Sequence, residues 1–123
     1  MKADFEIDVV KQLITATYKG SIHINDLKEC ISHLFRNPEF REEFNGISDF
    51  RNAELLMDLR AFYEFRGWLD TQDKASKGRW AVLVGTETDQ NTIELWERMS
   101  DGYHEGLRVF TDEDKAKIWL SVF

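Results

Sequence analysis

Trp80-Ala81-Val82-Leu83-Val84 is an unbroken apolar run, set between Lys77-Gly78-Arg79 and Gly85-Thr86. It is too short for a helix and has no helical neighbour pattern. It reads as a central strand buried on both faces, and such strands belong to sheets covered by helices on each side. The segments on either side of it alternate between helical and extended patterns. Downstream, Asn91-Thr92-Ile93-Glu94 has the spacing of a capping box. Ile93, Trp96 and Met99 then share one face, and Gly102 closes that helix. Leu107, Val109 and Phe110 make a last strand. Thr111-Asp112-Glu113-Asp114 signals another helix start, with acids at the positive end of its dipole. Ala116, Trp119, Leu120 and Phe123 form the buried face of that helix.

Upstream, Asp58 caps a helix on which Met57, Ala61, Phe62, Phe65, Trp68 and Leu69 fall on one side. Leu59 and Tyr63 lie at the margin of that arc. Gly67 inside the helix costs about 1 kcal/mol against Ala, which predicts a bend or a close approach there. A third strand is expected over 47–51, with Gly46 as a breaker before it. Phe40 and Phe44, four apart, predict a short helical turn that pins its loop to the core. Leu27, Cys30, Ile31, Leu34 and Phe35 outline an amphipathic helix, capped by Asn25 and stopped at Asn37-Pro38. Before it, Phe5, Ile7 and Val9 alternate with Glu6, Asp8 and Val10, and Ile14, Ala16 and Tyr18 form a second alternating run ended by Gly20. These two runs read as an antiparallel pair with the first strand at the sheet edge. The predicted order is β-β-α-β-α-β-α-β-α. It describes a single α/β domain over 1–123, with a five-stranded, mostly parallel sheet, an antiparallel first strand and four main helices.

The chain has 123 residues and a net charge of −7, and its basic residues are interspersed with acids. Such a surface repels nucleic acid and anionic membranes, so neither is an expected partner. One cysteine excludes an internal disulfide. Met1-Lys2-Ala3-Asp4-Phe5 carries no apolar leader region, and no segment has the roughly 18 apolar residues of a membrane span. A soluble, cytoplasmic protein without integral membrane association is the expectation.

The element order, with particular residues in it, resembles the SpoIIAA-like group of anti-sigma-factor antagonists and STAS domains, and distantly the Sec14-type lipid-binding domains. Val109-Phe110-Thr111-Asp112, then Ala116, then Trp119-Leu120 is similar to the close of a small, uncharacterised bacterial branch of that group. Ile47-Ser48-Asp49-Phe50-Arg51-Asn52 resembles its Asp-bearing strand. In the anti-sigma antagonists a serine in an Asp-Ser-Ser/Thr-Gly run before the second main helix is phosphorylated. The matching place here is Met57-Asp58-Leu59-Arg60-Ala61, where only Asp58 matches and no Ser or Thr occurs between Ser48 and Thr71. The resemblance thus implies a binding scaffold without that phosphate switch.

Ligands of open parallel sheets bind beyond the carboxyl ends of the strands. That rim is expected to carry Ser21, His23, Asp49, Arg51, Thr86, Glu87, Thr88 and Asp112. The bland alternative makes Asp112 a cap, Asp49 and Arg51 an ion pair, and His23 a solvated side chain. Cys30 sits on a buried stripe, with His33 about 60° away around the helix; a small hydrophobe is its ordinary role. His104 reads as a loop residue. No metal-ligand spacing, phosphate loop or G-x-S-x-G occurs, so no cofactor, metal or catalytic residue is assigned. Aromatics make up 13% of the chain. Most fall on core faces, while Tyr63, Trp68, Trp96 and Tyr103 are the surplus that could line an interface or a pocket.

The expected function is a non-enzymatic binding or regulatory module for a protein partner or a small apolar ligand, with His23, Asp49, Arg51, Asp58, Tyr63, Trp68 and Glu87 as candidate contacts. An apolar-ligand binder needs a closed cavity of roughly 300 Å³ or more. The alternative is a lipid-like-molecule binder or an enzyme, with a cleft at the strand ends anchored by Asp49, Arg51 and His23. A homodimer through the edge strand or the exposed aromatics is the third reading.

Overall fold

The computed structural model describes residues 1–88, 90–100 and 106–121. Its elements follow the predicted order: β1 (Ala3–Asp8), β2 (Leu13–Ile22), α1 (Ile24–Phe35), β3 (Asn45–Leu55), α2 (Leu59–Asp70), β4 (Trp80–Leu83), α3 (Gln90–Ser100), β5 (Leu107–Phe110) and α4 (Glu113–Leu120). The strands lie side by side in chain order. β1 runs antiparallel to β2, and every later pair is parallel. β3 is therefore the middle strand, and β4 sits beside it rather than at the centre.

Each parallel connection steps to the next position in the same direction. Right-handed crossovers then place α1, α2 and α3 on one face. Leu27, Cys30, Phe62, Phe65 and Trp96 pack there on Ala16, Tyr18, Phe50 and Val82. α4 takes the other face, where Ala116 and Leu120 meet Ile47, Ala81 and Leu83. This is why β4 is apolar at every position: alternate side chains feed two different helical layers, and all of them are buried. The same second face of β1 and β2 carries exposed Asp4, Glu6 and Thr17.

Two glycines read as breakers lie inside strands. Gly20 has φ 79° within β2, just after a register shift between Thr17 and Lys19. The chain kinks there without leaving the sheet, because glycine tolerates that backbone. Pairing resumes from Lys19↔Asn52 to Ile22↔Leu55. Gly46 pairs with both Ile14 and Trp80. A Cβ there would stand 2.5 Å from three atoms of the Trp80 ring, so Gly46 makes room for the indole. The third strand is accordingly longer than 47–51 at both ends.

Other local expectations need correction. Val9 and Val10 are exposed in the β1–β2 turn, where Gln12 adopts φ 54°. α1 is capped by His23, whose N–H donates to Asp26 at 2.9 Å, and not by Asn25. Phe40 and Phe44 are buried as expected, but in two successive turns rather than a helix. α3 begins at Gln90, so Asn91 lies within it and is not its cap. Gly102, Tyr103, His104, Phe123 and the Met99 side chain fall outside the described residues. Gly67 is exposed, and nothing lies within 4 Å of a Cβ built there. No close approach explains it. Gly67→Ala is expected to stabilise the domain by about 0.5–1 kcal/mol, read as a higher urea midpoint with an unchanged slope.

Candidate functional site

The carboxyl rim of the sheet is stepped. β4 and β5 end level with Asp49, through the pairs Asp49↔Leu83 and Leu83↔Phe110. β2 and β3 continue beyond as a two-stranded extension to Ile22 and Leu55. His23 stands at the far end of that extension. Asp49 lies six positions back along β3 from Leu55, on the order of 20 Å away at strand rise. The rim therefore does not bring His23 and Asp49 together. His23 is exposed, and its backbone N–H is tied to Asp26, which also pairs with Lys2 at 3.3 Å. The His23 N–H bond most of all, helped by Lys2, holds the Asp26 carboxyl below its usual range, although burial alone would raise it.

Asp49 and Arg51 form a two-pronged pair on the α4 face. Arg51 donates from Nε to Oδ1 at 3.1 Å and from Nη2 to Oδ2 at 2.8 Å, and its backbone N–H also reaches Oδ1. Arg51 Nη2 continues to Glu113 at 2.7 Å, and Glu113 takes Lys117 at 3.0 Å. Burial by itself would raise the Asp49 carboxyl, but the Arg51 hydrogen bonds and charge outweigh it and leave it lowered. Glu113 is lowered by Lys117 and by Arg51. The network clamps β3 to the start of α4, where Asp112 caps the helix by accepting from the N–H groups of Asp114 and Lys115.

A carboxylate more acidic in the folded chain than in the unfolded one favours folding above its unfolded pKa, near 4. That contribution is lost as pH falls through the lower, folded value. Stability is thus expected to hold from pH 7 to about 5 and to fall below 4. Arg51→Ala should cost about 1–2 kcal/mol at pH 7, a half-exposed pair being worth less than a buried one, and should flatten the acid decline. Urea titrations at pH 7, 5 and 3 measure both effects.

A second region lies at the start of α2. Asp58 caps the helix by accepting from the Ala61 N–H at 2.8 Å. Around it Leu56 and Leu59 are each 41% exposed and Tyr63 is 52% exposed. Leu59 and Tyr63 are four residues apart, on one face of the helix. Beside them runs an open groove of about 860 Å³, walled by Leu55, Leu56 and Met57 on one side and by Asn91, Glu94, Leu95 and Arg98 of α3 on the other. It shares Leu55 and Thr92 with a hollow of about 460 Å³ that holds Glu87, Thr86, Thr88 and Arg51. The sequence places Leu59 only at the margin of the α2 arc and does not single out Leu56, Leu95 or Arg98. The signal was Leu55-Leu56-Met57: three apolar residues in a row at the end of an alternating strand leave one facing out.

The aromatic surplus divides. Tyr63 faces outward. Trp68 stacks on Phe65 at 5.9 Å and is partly buried against the core. Trp96 is a core residue, edge-on to Phe62 at 5.2 Å, and not a surface one. The apolar interior contains a slot of about 100 Å³, smaller than the cavity expected of a lipid-sized ligand. Cys30 is buried, and burial pushes its thiol pKa up, while His33 is exposed and stacks on Phe5 instead. Among the described residues no group of three or more His, Cys, Asp or Glu could hold a metal ion, and no helix is long and apolar enough to cross a membrane.

No family model matches the chain, and no protein with a curated description matches it. Among solved structures it is similar to an uncharacterised protein of the DUF3478 family with a SpoIIAA-like fold, from Shewanella loihica PV-4. The two share 14% identity and superpose with a TM-score of 0.63, over 96% of this chain and 91% of that one. The chain has the SpoIIAA-like fold.

Proposed function

We propose that this domain is a non-enzymatic binding module that docks a protein partner over the exposed start of α2. The observation that carries this reading is the exposure of Leu56, Leu59 and Tyr63 around the first turns of α2, with Leu56 and Leu59 on the wall of the α2–α3 groove. Large apolar side chains grouped at a concave surface are what a docking face requires. The polar far wall, with Asn91, Glu94 and Arg98, supplies the rim that orients a partner. The resemblance to anti-sigma antagonists supports the location, since their switch serine stands at the corresponding helix start. Here Asp58-Leu59-Arg60 occupies it, so a phosphoserine at that place does not govern the association. The dispersal of His23 and Asp49, and the engagement of Asp49 by Arg51, favour binding over catalysis.

The test places a photo-crosslinking phenylalanine analogue at position 63, in the cells the protein comes from. A discrete protein adduct is expected, and Leu59→Asp should abolish it while the purified variant keeps its melting temperature. No adduct, or one that persists in Leu59→Asp, overturns the reading.

A further inference from the structure

The second face of the sheet is only half covered. α4 lies over β4 and β5 and reaches β3 at Ile47, while α1, α2 and α3 are all on the first face. The strand register sets three rows across the bare half: Asp8–Leu13–Asn45, Glu6–Thr15–Ile47 and Asp4–Thr17–Asp49. β1 brings an acid to each row, with successive acids about 7 Å apart along the strand. Between these rows and α4 runs an open trough of about 850 Å³, with Glu6, Asp8 and Glu43 on its walls. Asp49 and Glu113 also line it, but Arg51 holds both. Of the two cations in the lining, Lys117 is taken by Glu113 and Lys11 stands in the β1–β2 turn. Among the described residues no ion pair engages Asp4, Glu6, Asp8 or Glu43.

Charge, width and the neighbouring turn define what would cover this half-face. A second copy would set the same acids against one another, and nucleic acid would be repelled, so the occupant is cationic. Among the described residues these acids form no group that could hold a metal ion, so a spaced row of cations matches them better than one ion. The bare strip of β1, β2 and the margin of β3 is about 10 Å wide at the spacing of strands, the breadth of one α-helix. β1, six residues long, runs about 20 Å, which a helix of about 13 residues spans. At one end of the trough Lys11 and Gln12 belong to the β1–β2 turn, where Val9 is 50% and Val10 94% exposed. These two valines contribute nothing to the core and offer an apolar contact beside the acids. We propose that the bare half of the second face docks a basic helix of a partner protein, lying beside α4. Its Lys or Arg side chains stand over Glu6, Asp8 and Glu43, and an apolar residue at one end rests on Val9 and Val10. This face is across the sheet from α2, and Leu59→Asp is expected to leave it unchanged, so either reading can fail without the other.

The test is a titration of the ¹⁵N-labelled full chain with an alanine-based helical peptide of about fourteen residues, carrying lysine at every fourth position and one terminal leucine. Saturable amide shifts are expected over 4–17 and in α4, and they should fade between about 20 and 500 mM salt. A triple variant, Glu6→Gln, Asp8→Asn and Glu43→Gln, should weaken binding roughly tenfold, as the loss of three exposed ion pairs predicts. Asn at position 8 keeps the oxygen that accepts from the Lys11 N–H, so the turn is preserved. Glu29→Gln, Asp70→Asn and Asp73→Asn together remove the same charge from exposed sites in or beyond the helices of the other face, and should change binding less than about twofold. The same peptide with a central proline cannot stay helical and should bind several-fold more weakly. The wild-type titration decides the location even if a variant is unstable. Shifts scattered over the whole surface, equal weakening by both triple variants, undiminished binding of the proline peptide, or no saturable shift at low salt overturns the proposal.

Discussion

Phe50→Ala should remove about 3–5 kcal/mol of stability, a large share of what a domain of this size possesses. Phe50 is buried in the middle strand. Its ring stacks on Tyr18 of β2 at 4.3 Å and 13°, and meets Trp96 of α3 at 5.0 Å. One side chain therefore joins the strand before it in the sheet to the helix that leads into the last strand. Its removal leaves a hole bordered by rigid rings, which relax little, so the cavity penalty adds to the lost burial. Phe50→Leu keeps most of the volume and should cost about half as much. Urea unfolding with a common slope measures both. A loss under about 1 kcal/mol for the alanine variant would mean that the aromatic cluster does not hold the sheet and the helices together.

Gly78→Ala should also be strongly destabilising, by about 3 kcal/mol. A Cβ at Gly78 would fall inside contact distance of the Phe44 carbonyl oxygen and carbon and the Glu43 carbonyl oxygen. All three are main-chain atoms, so no side-chain rotation relieves the clash. The two loops that meet there are tied closely. The N–H groups of Lys77 and Gly78 both donate to the Glu42 carbonyl, and the Ala75 N–H donates to the Glu42 carboxylate at 2.9 Å. That bond, reinforced by Lys77, lowers the Glu42 carboxyl. Separating the loops would also loosen Phe44, buried beneath them. Thermal unfolding beside Gly67→Ala gives two glycine replacements of opposite expected sign. A Gly78→Ala midpoint equal to wild type would show that the loops part without cost.

What could be read from the sequence was what depends on near neighbours. Five apolar residues at positions 80–84 can only be buried on both sides, and the alternation of periods 2 and 3.6 yields the element order. The caps at Asp58 and Asp112 were legible because each accepts from its own first turn. Asn25 and Asn91 carry the same local signal, but other residues begin those helices. Gly20 and Gly46 misled for a different reason: one serves a kink and the other an indole across the sheet, and neither need is visible along the chain. In the candidate site, Asp49 and Arg51 were legible as a pair two residues apart. Glu113, 62 residues on, was not. The slot beneath α1 and α2 depends on how layers pack, which spacing alone does not encode.

The side-by-side strand order has a consequence for biosynthesis. Each new strand pairs with the one made just before it, so the sheet can assemble in the order in which the ribosome delivers it. The exception is the second face. Ile47, Ala81 and Leu83 await Ala116 and Leu120, supplied by the last helix. A chain stalled before Glu113 would present that bare apolar face to its neighbours on the polysome, and truncation there is the route by which this small domain would aggregate.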